Sequence, residues 1–276
     1  MIDTNSTGEV SNIGVGCFNC NGLANNQKRE LVLEWLSGKD DNIIFLQETH
    51  STLETEQLWR SKWHGEILFS HGSSNSTGVA ILIKKEAHHE LKIIKQANMY
   101  QGRAIVVQID SAGTIFTLVN VYCPNNDDSD FVEKILLESF QFADSTNLIY
   151  AGDWNTVLNN ILDKNGGTGR HSNIKCQNLL NNFIVDWGFS DIFRLTHGEQ
   201  KTFTHVDKQH KTQTRLDFFL IDDRLVNFPV CQSEITHGFN SDHSYVSLKI
   251  KGNDIQHGKG YWKLNNSHLK SEEFTQ

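Results

Sequence analysis

The chain has 276 residues, 38% of them hydrophobic and 21% charged, enough to bury an ordinary core as one large or two small domains. Only two prolines and no low-complexity tract favour one compact unit. The formal net charge of -8 argues against a generally basic nucleic-acid coat, so a polyanion would need a local basic patch or bound cations. The five cysteines, Cys17, Cys20, Cys123, Cys176 and Cys231, are odd in number and scattered, which fits a reducing, intracellular compartment rather than a disulfide framework. Cys17-Phe18-Asn19-Cys20 has the spacing of half a zinc site. It lies in a β-prone run, however, where residues three apart face opposite ways, and no second pair follows. Met1 to Thr7 contain no apolar signal core and no segment is apolar for long enough to cross a bilayer, so a soluble protein that is not secreted is expected.

In chain order, residues 1–11 read as a tail, and Ile13 to Asn19 as a strand that turns through Asn21-Gly22-Leu23 into a helix with the stripe Leu31, Val32, Trp35 and Leu36. Ile43-Ile44-Phe45-Leu46 is a second strand, running into Gln47-Glu48-Thr49. After a helical segment around Leu58-Trp59, the run His71 to Ser76 is a turn leading into Val79 to Ile83. Leu91 to Ile94, Ala104 to Ile109 and Ile115 to Tyr122 are rich in Ile, Val and Thr and separated by turn residues, as in an antiparallel meander. Asp127 and Asp128 suit the N-terminus of a helix carrying Phe131, Ile135, Leu136, Phe140 and Ala143. The strand Leu148 to Ala151 ends in Gly152-Asp153-Trp154-Asn155. Asn165 to Arg170 lacks the Gly-Lys-Ser/Thr ending of a nucleotide-binding loop and reads as a surface loop, from which Arg170 could reach a phosphate. A helix with Cys176, Leu179, Leu180, Phe183, Ile184 and Trp187 follows, then Thr202-Phe203-Thr204, a polar excursion from His205 to Gln213, and the strand Leu216 to Ile221. Ser241-Asp242-His243 introduces the last alternation, Tyr245 to Leu248. From residue 251 the chain turns polar, and 251–276 reads as a linker toward a further domain. Strands and helices mix without βα regularity, so an α/β (α+β) fold of packed sheets with outer helices is expected.

Three strand ends therefore carry acids and a histidine, the groups that phosphodiester hydrolysis requires. A polarised phosphorus, an activated water and a stabilised leaving oxygen all need charge placed at one point. Glu48 with Asn21 offers the few oxygen ligands that magnesium prefers, although a strand-terminal Glu taken alone is more often a turn residue. Asp153 and Asn155, on one side of a turn, can orient a water and hold a phosphate oxygen, with Trp154 turned into the core; an ordinary Asx-turn is the competing account. His243 can have its tautomer fixed by a distant carboxylate, for which Asp217 in Arg215-Leu216-Asp217 is the best placed. His50, His88 and His89 read as surface.

Asn19-Cys20-Asn21-Gly22-Leu23, Leu46-Gln47-Glu48-Thr49, Asn120 to Asn125, Gly152 to Asn155, Arg215-Leu216-Asp217 and Ser241-Asp242-His243, in that order, resemble the exonuclease/endonuclease/phosphatase superfamily. Gln47 to His50, Tyr122-Cys123-Pro124-Asn125 and the trailing Tyr261-Trp262-Lys263-Leu264-Asn265 are most similar to the apurinic/apyrimidinic-like endonucleases of LINE (non-LTR) retrotransposons. The resemblance covers Ile13 to Ile250 and implies one domain over 12–250, a four-layer α/β sandwich of two packed mixed β-sheets flanked by helices. It implies that Glu48 binds Mg2+, or Mn2+ in its place, with Asn21 helping and Asp242 in the metal and leaving-group environment. Asn19 would support the site, Tyr122 contact the scissile phosphate, Asp153 position or deprotonate water, Asn155 bind phosphate and Asp217 orient His243. Nicking of double-stranded DNA in the nucleus, to expose a 3′-hydroxyl for a downstream reverse transcriptase, is the activity implied.

Two departures qualify the resemblance. Asn21 stands where repair enzymes carry an acid. Thr214 stands where they carry a tryptophan that seats the abasic sugar, although Phe203 and Leu216 remain, so a tight abasic pocket is not expected. DNA contacts would then fall to Asn125, Arg170, Thr202 and Leu216 and to Lys208 and Lys211 of the polar excursion. A lipid or small-molecule phosphatase on the same fold, a general abasic-site repair enzyme and a catalytically silent binding module are the alternatives. The last would have lost one of Glu48, Asp153, Asn155 or His243, and all four are present.

Overall fold

The protein is described by a computed structural model over residues 12–89, 91–144, 147–167, 173–209 and 211–252. The expected N-terminal tail, Arg170, His210, the Tyr261 to Asn265 motif and all but the first two residues of the expected linker lie outside these residues. The strands are β1 (Asn12–Asn19), β2 (Ile43–Gln47), β3 (Gly65–Ser70), β4 (Val79–Lys84), β5 (Leu91–Tyr100), β6 (Ala104–Ser111), β7 (Thr114–Tyr122), β8 (Asn147–Asp153), β9 (Lys164–Asn165), β10 (Phe189–Asp191), β11 (His205–Asp207), β12 (Thr212–Thr214), β13 (Asp217–Asp222), β14 (Val230–Thr236) and β15 (Tyr245–Lys251). The helices are α1 (Asn26–Ser37), α2 (Glu56–Arg60), α3 (Ser129–Ala143), α4 (Ile174–Trp187), α5 (Ile192–His197) and α6 (Asp223–Val226).

Two six-stranded sheets form the body, ordered β14-β15-β1-β2-β4-β3 and β10-β13-β8-β7-β6-β5. Each is mixed: β1 and β2 run parallel in the first and β7 and β8 in the second, all other pairs being antiparallel. The expected meander is β5-β6-β7. The inner faces meet in one apolar layer that includes Val15, Cys17, Phe45, Ile81, Val107, Leu118, Ile149, Phe219 and Leu248. Against the outer face of the first sheet, α1 packs Val32, Leu33 and Leu36; against that of the second, α3 and α4 pack Ile135, Leu180 and Phe183. Four layers result.

Cap chemistry sets the helix starts. Asn25 accepts from Lys28 N at α1 and Asp128 from Phe131 N at α3. Asp127 caps a different helix from the one its sequence position suggested, accepting from Lys175 N and Cys176 N of α4. Three expected positions move. Leu31 is exposed on α1, its place in the buried stripe taken by Leu33, because the face pointing at the sheet is set one residue later. Phe140 and Trp187 are also exposed and contact each other edge-on, 4.7 Å between ring centroids, on the outside of α3 and α4. The surface loop begun at Asn165 starts as β9, which pairs with β12 to extend the β11-β12 hairpin into a three-stranded sheet.

Buried polar side chains tie the two large sheets together. Asn120 of β7 donates to Leu46 O and Ala80 O at 3.1 and 2.9 Å and accepts from Gln47 Nε2 at 2.7 Å. This knot lies one residue before Glu48 and two before Tyr122.

Candidate active site

Strand direction explains why the predicted residues converge. The parallel pairs β1-β2 and β7-β8 bring the ends Asn19 and Gln47, and Tyr122 and Asp153, side by side. The antiparallel neighbours begin where these end, so Asp217 opposes Asp153, and His243 precedes the first residues of β15 beside the end of β1. Gly152 allows the approach: a Cβ there would lie 1.7 Å from Val121 O.

One amide joins the two halves. Asn19 Nδ2, fully buried, donates to Glu48 Oε1 at 2.9 Å and to Asp153 Oδ2 at 2.8 Å, spanning the sheets. Tyr122 Oη also donates to Glu48 Oε1, at 2.9 Å. Asp153 Oδ1 accepts from Asn155 N at 2.9 Å, and Asn155, at φ +47°, donates from its side chain to Cys123 O at 2.8 Å. The competing Asx-turn is therefore present and coexists with the site geometry. Trp154 is buried and stacks on Phe218. His243 Nδ1 bonds Asp217 Oδ2 at 2.8 Å, and its Nε2 stands 3.9 Å from Asp153 Oδ2. Asn21 Nδ2 donates to Asp242 Oδ1 at 2.9 Å, so an amide here joins what an acid would repel.

The electrostatics follow from burial and crowding. Desolvation, reinforced by Asp217, pushes the Asp153 carboxyl up to about 6. Burial opposes charge on His243, but Asp217, Asp153 and Asp242 outweigh it and raise the imidazole to about 10. The neighbouring His205 imidazole chiefly holds Asp242 well below the carboxylate range. Burial and the neighbouring Glu48 push the Tyr122 phenol up.

Two oxygen-rich places invite a cation. Asp153, Asp217 and His243 offer ligand atoms all within 4.8 Å of one another, but His243 Nδ1 is engaged by Asp217, and an imidazole suits a hard ion poorly. Glu48 and Asp242 offer carboxylate oxygens, and Asn21, already bonded to Asp242, an amide side-chain oxygen, and donors of this kind fit magnesium or manganese.

The expected DNA-contacting residues are spread more widely. Lys208 and Lys211 are exposed on the β11-β12 hairpin and Asn125 is exposed after β7, whereas Thr202 and Leu216 are half-buried. A depression of about 560 Å3, lined among others by Asn21, Lys208, Asp242 and His243, connects the hairpin to the acids. Four further residues, to which the sequence alone assigned no role, shape the site. Arg103, in the β5-β6 turn, lies over the Tyr122 ring at 4.7 Å. His205 Nε2 is 3.7 Å from Asp242 Oδ2, its ring 4.6 Å from that of His243. Thr204 Oγ1 accepts from Leu216 N and Asp217 N at 2.9 and 3.0 Å. Arg215, fully buried, binds Asp163 and Asp191 and anchors the start of β13. His50 is half-buried instead of lying on the surface.

Strand ends that gather two carboxylates, an Asp-His pair and bridging amides in a four-layer sandwich define a phosphoesterase-like class of site. Residues 16–243 match the endonuclease/exonuclease/phosphatase family, and the chain belongs to it. Over 266 residues it is 29% identical to the "Transposon TX1 uncharacterized 149 kDa protein" of Xenopus laevis. That match takes in 95% of this chain but only 20% of the relative, so the chain spans about a fifth of its length. Among solved structures, the AP endonuclease LMAP from Leishmania major superposes with TM-score 0.72 at 14% identity, covering 88% of this chain and 89% of that one. The APE2 catalytic domain of Xenopus laevis gives 0.70 at 21%, covering 87% and 93%, and an AP endonuclease from Archaeoglobus fulgidus 0.67 at 19%, covering 86% and 99%. The fold is theirs.

Proposed function

We propose that this chain is a divalent-metal-dependent DNA endonuclease. It hydrolyses one phosphodiester of a duplex target and leaves a 3′-hydroxyl, from which a reverse transcriptase domain of the same polyprotein primes copying into nuclear chromosomal DNA. The observation that carries the hydrolytic reading is the Asn19 amide holding Glu48 and Asp153 together, with His243 just beyond. Similarity to a transposon protein supports the retrotransposon context.

Glu48 and Asp242, with Asn21, would hold the cation, which when bound supplies positive charge at the phosphate oxygens. Asp153, fixed by Asn19 and by the Asn155 backbone, orients the attacking water and receives its proton; a carboxyl near 6 is basic enough to do so at neutral pH. His243, kept cationic and oriented by Asp217, presents Nε2–H to a phosphate oxygen as charge grows there. Asn155 spends one amide hydrogen on Cys123 O and keeps the second for the phosphate, which Tyr122 flanks from the Glu48 side. Asn125, Thr202, Leu216, Lys208 and Lys211 serve the DNA on either side, and Arg170, outside the described residues, is a further candidate contact.

The test is nicking of supercoiled plasmid. Open circles are expected with magnesium and none with chelator. Asp153→Ala and His243→Ala should each slow nicking by about 100-fold or more, and a polymerase should extend the nick. Undiminished nicking by either variant would sink the assignment.

A further inference from the structure

Behind the turn that carries Glu48 lies a chain of four side chains with no part in the chemistry above. Glu56 Oε1 is 2.9 Å from His71 Nε2, His71 Nδ1 is 3.0 Å from Ser51 Oγ, and Ser51 Oγ is 3.0 Å from Thr49 Oγ1. The carboxylate can only accept, so His71 donates from Nε2, and the neutral ring then accepts at Nδ1. Ser51 then donates to His71, Thr49 donates to Ser51, and Thr49 Oγ1 accepts from Ser51 N at 3.3 Å. Every hydrogen has one direction. Serine, histidine and glutamate are also the members of a hydrolase relay, but Ser51 is 1% exposed and Thr49 fully buried, so no substrate reaches either hydroxyl. The relay acts inward.

What it acts on is strained. Glu48 and His50, neither of them glycine, hold φ of +52° and +49°, a left-handed backbone that side-chain-bearing residues rarely adopt. Thr49 sits between them. Its N–H donates to Gly78 O at 3.0 Å, and that of His50 to Thr77 O at 2.9 Å, so the turn is laced to the loop that His71 opens. The lacing is tight: a Cβ on Gly78 would lie 2.5 Å from Thr49 Oγ1, and Phe69 stacks on the His71 ring at 5.0 Å.

We propose that Ser51, His71 and Glu56 are positioning residues that lock this strained turn, so that Glu48 meets a divalent cation as a preformed ligand. The proposal rests on the metal role given to Glu48 above. Mn2+ binding to the 276-residue chain, measured by electron paramagnetic resonance without DNA, reads it directly. Ser51→Ala and His71→Leu should weaken Mn2+ by about 10- to 100-fold, the usual range for residues behind a ligand. They should also raise the magnesium needed for half-maximal nicking, with the rate at saturating magnesium near that of the parent. His71→Asn, which keeps a polar atom near Nδ1, should recover much of the loss. Unchanged Mn2+ affinity in Ser51→Ala, beside a loss in Glu48→Gln, overturns the proposal. Unchanged affinity in Glu48→Gln overturns the metal role of Glu48 itself. Loss of Mn2+ in step with thermal stability, not recovered by His71→Asn, reduces the relay to a structural one and also overturns it. Should His71→Leu fail to fold, Ser51→Ala, which removes a single hydroxyl, decides alone.

Discussion

At the residue scale, the site divides protons between two buried groups that burial alone would leave neutral. Asp153 is raised to about 6 and His243 to about 10, so between those values the carboxylate and the imidazolium coexist. If Asp153 accepts the water's proton, kcat/KM for nicking rises as pH climbs through the Asp153 value. It falls when His243 loses its proton near 10. A pH profile checks this, and His243→Gln should remove the alkaline limb while keeping the acid one. The same group bears on stability. A histidine raised above its unfolded value of about 6.5 stabilises fully below that pH and loses the contribution as pH rises through about 10. The Tm difference between the parent and His243→Gln should accordingly be larger near neutrality than above pH 10. Arg103 is the residue-scale addition to the site. Lying over the Tyr122 ring, it supplies a cation beside the expected phosphate position in a chain of net charge -8. Arg103→Ala should raise the KM for plasmid by about tenfold and lower kcat less, as steady-state nicking would show.

At the element scale, β13 depends on what precedes it. Arg215 is fully buried and grips Asp163 and Asp191, while Arg194 makes a second contact to Asp163. Arg215→Leu would leave Asp191 without its guanidinium and Asp163 with Arg194 alone, at a cost of about 3–5 kcal/mol, read as a lower urea midpoint. Arg215→Lys should rescue little, because one ammonium cannot replace a fork shared by two acids. Burial opposes the Asp163 charge, yet Arg215 and Arg194 hold its carboxyl below the usual range. The stabilisation is thus present above the ordinary carboxylate value and lost as pH falls through the lower folded one. Sequence showed this region unevenly. Apolar runs ending in Glu48, Asp153 and Asn19 were legible because a strand's burial writes itself into consecutive residues. Arg215 was visible only as a neighbour of Asp217, since nothing local announces a partner 52 residues away. His205 stood in a polar excursion with no apolar period. Its pairing with Asp242 depends on the bridge between His205 and His243, which chain order does not encode. Leu31 failed for a narrower reason: a one-residue rotation of a helix face exchanges an inner for an outer position without changing the pattern that suggested it.

At the scale of the whole molecule, neither sheet holds a working site by itself. The first contributes Asn19 and leads into Glu48 and His243; the second contributes Tyr122, Asp153 and Asp217. The distance between Glu48 and Asp153 is therefore a property of sheet packing. Apolar layers tolerate sliding better than hydrogen bonds do, which gives the Asn120 knot a particular place: it fastens β7 to Leu46 O, Ala80 O and Gln47 directly under the site. Asn120→Leu keeps the volume and strands two carbonyls and an amide, each costing about 1–3 kcal/mol when left unpaired. A loss of that order should appear in denaturant melts. The catalytic consequence separates this from simple destabilisation. At a temperature where the variant is still fully folded, kcat should fall because Asn19 can no longer reach Glu48 and Asp153 together, whereas a core truncation such as Ile250→Ala, opposite Ile13 at the far end of β1 from Asn19, should lower stability and leave kcat near the parent's. If the two variants lose stability equally and kcat equally, the site is held by the apolar layer and the knot has no special part.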